Sequence, residues 1–122
     1  MNPKVRVALA FIEDNLGRDV YVAEVAERVG LSSSRLCHLF KSELAMPVTQ
    51  YLTKARLEKA CELLETSFKQ IKEIGFEVGY NDPAYFEREF KKTYDLSPLQ
   101  YRANYLALLG QKKSRQDNRR IL

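Results

Sequence analysis

VGLSSSRLCHLFK, residues 29–41, returns in partial copy as VGYNDPAYFEREFKK, residues 78–92. In the first copy Ala26, Gly30 and a serine run lead into a segment whose apolar residues, Leu36, Leu39, Phe40 and Leu44, fall on one helical stripe. The pattern spells helix, tight turn, helix. The second copy keeps the order, with Gly75 at the place of Ala26, Gly79 at that of Gly30, and Phe86 and Phe90 for Leu36 and Phe40. Val22/Ile71, Glu24/Glu73 and Val29/Val78 match at an offset of 49, whereas Phe40/Phe90, Lys41/Lys91, Gln50/Gln100 and Tyr51/Tyr101 match at 50. One extra residue therefore sits in the second turn, within Tyr80-Asn81-Asp82.

Two helices that cross steeply need a small residue at the crossing, and the turn between them needs a backbone position that tolerates positive φ. Ala26 or Gly75 supplies the first, Gly30 or Gly79 the second. This is the helix-turn-helix layout, whose second helix can lie in a DNA major groove. One copy is a weak signal, since any helical hairpin can use glycine; two copies in one short chain are a much stronger one.

A chain of 122 residues is one domain, or two very small ones sharing a joint. It is 45% hydrophobic without a long apolar run, so no membrane span is expected. The N-terminus MNPKVRVALAFIEDNL places Glu13 and Asp14 soon after its short apolar stretch, unlike a cleaved secretory signal, and a cytoplasmic location is expected. The net charge of +4 resides in the last twelve residues, QKKSRQDNRRIL, with five Lys/Arg and one Asp; the other 110 residues hold 15 of each sign. Bulk charge is thus a poor guide to partners, and the face that carries the positive residues matters instead.

Asn2-Pro3 is a capping side chain followed by proline at the first helical position. Val5, Ala8, Leu9, Ile12 and Leu16 form the stripe of that first helix, which Gly17 should end. A short second helix buries Val22, Val25, Ala26 and Val29 and stops at Gly30. The third spans roughly 33–44, capped from the Ser32–Ser34 run. Burying its apolar stripe turns Ser34, Cys37, His38 and Lys41 outward. After Met46-Pro47, residues 48–67 read as the longest helix, with Val48, Tyr51, Leu52, Ala55, Ala60, Leu63 and Leu64 inward and Arg56 anchored by a carboxylate or carbonyl. At about 1.5 Å per residue this rod approaches the ~34 Å between successive major grooves on one face of B-DNA. Ile71, Ile74, Gly75 and Val78 rebuild the short helix. Asp82-Pro83 caps a helix over 83–93 whose outward strip is Ala84, Glu87, Arg88, Lys91 and Lys92, with Tyr85 flanking the strip or packed beneath it. Ser97-Pro98 opens a last helix, 98–109, in which Leu99, Tyr101 and Leu106 can close the second hairpin; Gly110 should end it, leaving a basic, mobile tail over 111–122.

IKEIGFEVGYNDPAYFEREFKKTYDLSPLQYR (71–102), AERVGLSSSRLCHLFK in the first half and ARLEKACELL at the joint resemble the double helix-turn-helix domain of the AraC/XylS family of bacterial transcription regulators. The resemblance covers about residues 20–105. It implies an all-α fold of about seven helices: two helix-turn-helix subdomains, 1–46 and 68–110, joined by a long central helix within 47–67, with 111–122 as a flexible tail. It implies a sequence-specific binder of double-stranded DNA, one recognition helix per major-groove segment, that also contacts RNA polymerase. Base-facing positions would be Ser34, Cys37 and His38 in one helix and Pro83, Ala84, Glu87 and Arg88 in the other. Lys41, Lys91 and Lys92 look like phosphate partners. The family often has Arg where His38 stands, so the first helix should read a different base or bind less tightly. Many members carry a ligand-sensing or dimerisation domain before this one, and nothing long enough precedes residue 20. The chain is either a stand-alone regulator or a fragment of a larger one.

Against these roles stand plainer ones. Arg88 can be a solvated residue paired with Asp or Glu, and Glu87 can either orient Arg88 or accept from a cytosine amino group. His38 is the only histidine, and Cys37 points about 100° away from it on the same helix, so the two are poorly placed to share an ion. Cys37 and Cys61 are too few and too far apart for a metal framework. No metal or cofactor is expected, and no nucleophile, phosphate loop or carboxylate pair points to an enzyme. The alternative function is a helical protein-interaction module that does not bind DNA.

Overall fold

A computed structural model describes the backbone of residues 1–121 and the side chains of residues 1–111. The described chain is all-α, with seven helices: α1 (Pro3–Asp14), α2 (Val22–Arg28), α3 (Ser33–Leu44), α4 (Val48–Thr66), α5 (Ile71–Glu77), α6 (Pro83–Tyr94) and α7 (Pro98–Ile121). None of them is long and apolar enough to cross a membrane. Side-chain caps set several starts: Asn2 accepts from the Lys4 amide, Ser32 from that of Arg35 and Asp82 from that of Ala84. α3 and α6 both end on left-handed residues, Ala45 at φ 57° and Asp95 at φ 61°. The two residues are fifty apart, so the duplication extends to the C-caps.

The apolar residues gather into two cores. Val5, Ala8 and Ile12 of α1, Val25 and Ala26 of α2, Leu36 and Phe40 of α3 and Val48 of α4 make the first. Leu57, Ala60 and Leu64 of α4, Ile74 of α5, Val78 and Tyr80 of the second turn and Phe86 and Phe90 of α6 make the second. Each fully buried Leu or Phe contributes roughly 1.5–3 kcal/mol, so α3 and α6 are each held chiefly by two buried residues. Phe40 meets Tyr51 edge-on at 5.6 Å between ring centroids, and Phe90 meets Tyr101 at 5.6 Å in the same way. The Tyr51 hydroxyl donates to Glu13 Oε1 at 2.7 Å and that of Tyr101 to Glu65 Oε2 at 2.9 Å.

α4 serves both cores, with a change of face halfway along. At about 100° per residue, positions 48, 51, 52 and 55 cluster on one side, and 57, 60, 61 and 64 on nearly the opposite side. Reading a single stripe along this helix therefore misses Leu57, which is 1% exposed. Two further expectations differ at helix ends. α1 stops at Asp14, capped by Asn15, before Gly17 is reached. α7 does not stop at Gly110 but runs to Ile121. Gly110 lacks the positive φ of a glycine cap, and a glycine inside a helix costs only about 1 kcal/mol relative to alanine. The side chains of 112–122, on which the expected mobility of the tail turns, lie outside the described residues.

Equivalent glycines do different work in the two turns. Gly30 has φ 71° and open space where a Cβ would stand. Gly79 has φ 106°, and a Cβ there would collide with the Leu16 carbonyl oxygen and come within 2.7 Å of Arg56 Nε. Gly30→Ala should cost about 1–2 kcal/mol, the left-handed strain alone. Gly79→Ala should cost clearly more, visible as a larger drop in the urea midpoint; equal losses would mean that the second turn is not in close contact.

The tyrosines make the fold sensitive to alkali. Burial pushes the Tyr80 phenol up to about 12, and it also raises Tyr51, Tyr94 and Tyr101, with the Glu13 and Glu65 carboxylates adding to the effect at Tyr51 and Tyr101. In the unfolded chain a tyrosine ionises near ~10. The folded form holds these protons longer, so their contribution to stability is complete below about pH 10 and is lost as pH rises through the folded values. Urea midpoints should be level from pH 8 to about 9.5 and fall steeply above it; a midpoint unchanged at pH 11 would contradict the burial of these phenols.

Candidate nucleic-acid interface

In each half, the two helices of the hairpin approach each other at a small residue. Ala26 is 2% exposed between α2 and α3. A Cβ on Gly75 would lie 2.8 Å from Phe86 Cδ2, so in the second half even alanine is too large unless the ring moves. With Leu36 and Phe40 sunk in one core and Phe86 and Phe90 in the other, the opposite edges of α3 and α6 face solvent. Ser34, Cys37, His38 and Lys41 are all exposed, as are Ala84, Glu87, Arg88, Lys91 and Lys92; Pro83 is half-buried at the start of α6. The structure thus gathers the ten candidates onto two outward edges, one per helix.

Among the described residues the ion pairs are Arg18–Glu24, Lys59–Glu62 and Lys69–Glu77. Lys41, Arg88, Lys91 and Lys92 take part in none of them. The plainer reading of Arg88, as half of a surface ion pair, thus finds no partner. Its guanidinium carbon instead lies 5.9 Å from the centroid of the Tyr85 ring, at cation–π distance. Tyr85 flanks the strip, 47% exposed, and leans on the Tyr80 ring at 5.8 Å. No hydrogen bond joins Glu87 to Arg88 among the described side chains, so the aromatic ring, and not the carboxylate, backs the arginine.

Arg88, Tyr85, Asn81 and Asp82 line one side of a cleft of about 390 Å³ whose other side is Thr53 and Arg56 of α4. Arg56 donates from Nε to the Leu16 carbonyl at 3.1 Å and from Nη2 to the Arg18 carbonyl at 2.8 Å. It is anchored by carbonyls, one of the two partners foreseen. Arg102 does the same for the second half, donating to the Leu64, Lys69 and Ser67 carbonyls at 3.1, 2.7 and 3.3 Å. Sequence reasoning did not single it out, although a half-buried arginine beside the apolar Tyr101 follows the pattern of Arg56. Arg35, exposed one turn before His38, also borders the first edge; the i,i+3 spacing of the two basic side chains was the available signal.

Among the described residues no three or more His, Cys, Asp and Glu side chains cluster as a metal site. Arg18 and Glu24, whose hydrogen bond raises the one pKa and lowers the other, lie on the exposed surface. Burial raises the Cys61 thiol, whereas Cys37 is exposed on the α3 edge.

A family of helix-turn-helix domains matches residues 25–104. The arabinose operon regulatory protein of Salmonella typhimurium is 39% identical over 104 residues, covering 84% of this chain and 37% of that protein. The chain therefore spans little more than a third of that relative. Among solved structures, the C-terminal domain of AraT, a response regulator from Geobacillus stearothermophilus, superposes with a TM-score of 0.79 at 38% identity, covering 84% of this chain and 86% of that one. The DNA-binding domain of AdpA, described as a global transcriptional factor and crystallised with a target DNA, superposes with a TM-score of 0.81 at 27% identity, covering 91% and 99%.

The two thiols offer a direct check on which edge of α3 is open. Cys37 should react with a maleimide at least about tenfold faster than Cys61, because Cys37 is exposed whereas burial both shields the Cys61 thiol and raises its pKa. Equal rates by mass spectrometry would mean that the strip is covered.

Proposed function

Because the chain belongs to the AraC/XylS family of transcription regulators, through its double helix-turn-helix domain, we propose that it binds double-stranded DNA sequence-specifically and regulates transcription. α3 and α6 each enter a separate major-groove segment. Ser34, Cys37 and His38 face bases from α3, and Pro83, Ala84, Glu87 and Arg88 from α6. Lys41, Lys91 and Lys92 meet phosphates. Arg88 has the strongest reading group, since a guanidinium can bond O6 and N7 of one guanine together. The observation that carries this reading is the Arg88 guanidinium, exposed, outside every ion pair of the described residues and backed by Tyr85. A solved relative held on its target DNA supports the same use of the fold.

The protein works by binding, without catalysis or a cofactor, in the cytoplasm. The first 110 residues act as the DNA-binding unit and the tail over 111–122 adds non-specific affinity. Bound to DNA, it contacts RNA polymerase, a partner that the family resemblance implies.

Selection from random duplexes tests the reading. Two separated blocks of preferred bases should emerge. Arg88→Ala should relax one base pair of one block by about 1–3 kcal/mol, and His38→Ala should weaken preference in the other block only. The logarithm of affinity should fall with that of salt at about −0.9 per phosphate contact. No preferred sequence together with a flat salt response would favour a protein-interaction module instead.

A further inference from the structure

Between the two cores lies a polar seam. Ala55, at the middle of α4, is buried there but belongs to neither core. Arg56 holds the segment just after α1 through the Leu16 and Arg18 carbonyls, while a Cβ on Gly79, in the turn that launches α6, would come within 2.8 Å of both its Nε and its Cζ. One residue away, a Cβ on Gly17 would stand 3.0 Å from the Glu77 carbonyl oxygen, so the α1 end also touches the α5 end with almost no clearance. The turn docked in this way is the one with the extra residue; the shorter first turn, at Gly30, meets nothing within 4 Å of its missing Cβ.

We propose that Arg56 is a positioning residue for site recognition: by latching the α1 end to the Gly79 turn it fixes one reader helix relative to the other, and so fixes the spacing between the two base blocks that the protein accepts. A helix alone is a poor ruler for this purpose, because α4 joins the halves only along its axis and its two apolar faces lie on different sides. The latch supplies the missing constraint on rotation about α4. Inserting one base pair between the blocks moves the second by about 3.4 Å and turns it by about 34° about the DNA axis. A latched pair cannot follow such a change and an unlatched pair can. The inference rests on the DNA-binding reading, but the latch itself can be tested without DNA.

Duplexes with the two selected blocks at the parental spacing, and with one base pair inserted or removed, would be titrated with the parent chain, Arg56→Ala and Gly17→Ala. The alanine at position 17 wedges the seam without touching either reader edge. The parent should lose about tenfold or more in affinity at either altered spacing. Both variants should keep the preferred bases within each block and lose no more than about threefold on changing the spacing. Folded variants with the parental spacing profile would overturn the proposal. If Arg56→Ala does not fold, Arg56→Lys, which keeps the charge but loses the planar fork that bonds two carbonyls, decides. Residual dipolar couplings of the free proteins give the second readout: one alignment tensor should fit both halves of the parent, and two should be needed for the Arg56 variant that folds. A single shared tensor in that variant refutes the latch even if no duplex is bound, whereas two tensors with no duplex bound would refute only the DNA-binding reading.

Discussion

One helix supplies packing surface to both halves of the molecule, and most of the architecture follows from that constraint. α4 gives Val48 to the first core, with Tyr51 and Leu52 packed against it, and Leu57, Ala60 and Leu64 to the second. α4 thereby closes the first hairpin and opens the second. The duplicated contacts on either side, Phe40 on Tyr51 and Phe90 on Tyr101, show each half repeating one packing solution around its own share of the chain.

Duplication alone would give two identical edges, and the departures from it set the two apart. In the second turn Tyr80, at the place of Leu31, enters the core at 6% exposure, and Tyr85 lies against it as a support for Arg88. His38 occupies the corresponding place on α3. The two edges therefore differ in reach, charge and hydrogen-bonding pattern. Positions Ala26 and Gly75 tolerate little change because they set the crossing from which both edges are aimed.

Much of this was legible in the sequence because caps, turns and apolar periodicity are local. Asn2-Pro3, Ser32 and Asp82-Pro83 announce their helices, and the outward strips follow from the burial of Leu36, Phe40, Phe86 and Phe90. What stayed hidden depends on where distant elements meet. Leu57 lies off the stripe that the start of α4 announces, because the helix turns a second face to a second core. Nothing local distinguishes Gly79 from Gly30; only the approach of Leu16 and Arg56 does. Arg102 serves three carbonyls at the end of α4, a role that appears once the chain has folded back on itself. Gly110 shows the converse, a local stop signal overridden at small cost by continuing helix.

The central claim is that two edges of a single rigid unit meet two grooves on the same face of a duplex. Dimethyl sulfate protection of guanine N7 atoms, which lie in the major groove, reads this directly on a bound duplex. Two protected patches about one helical turn apart, on one face, are the result to expect. A single patch, or two on opposite faces, would contradict the arrangement.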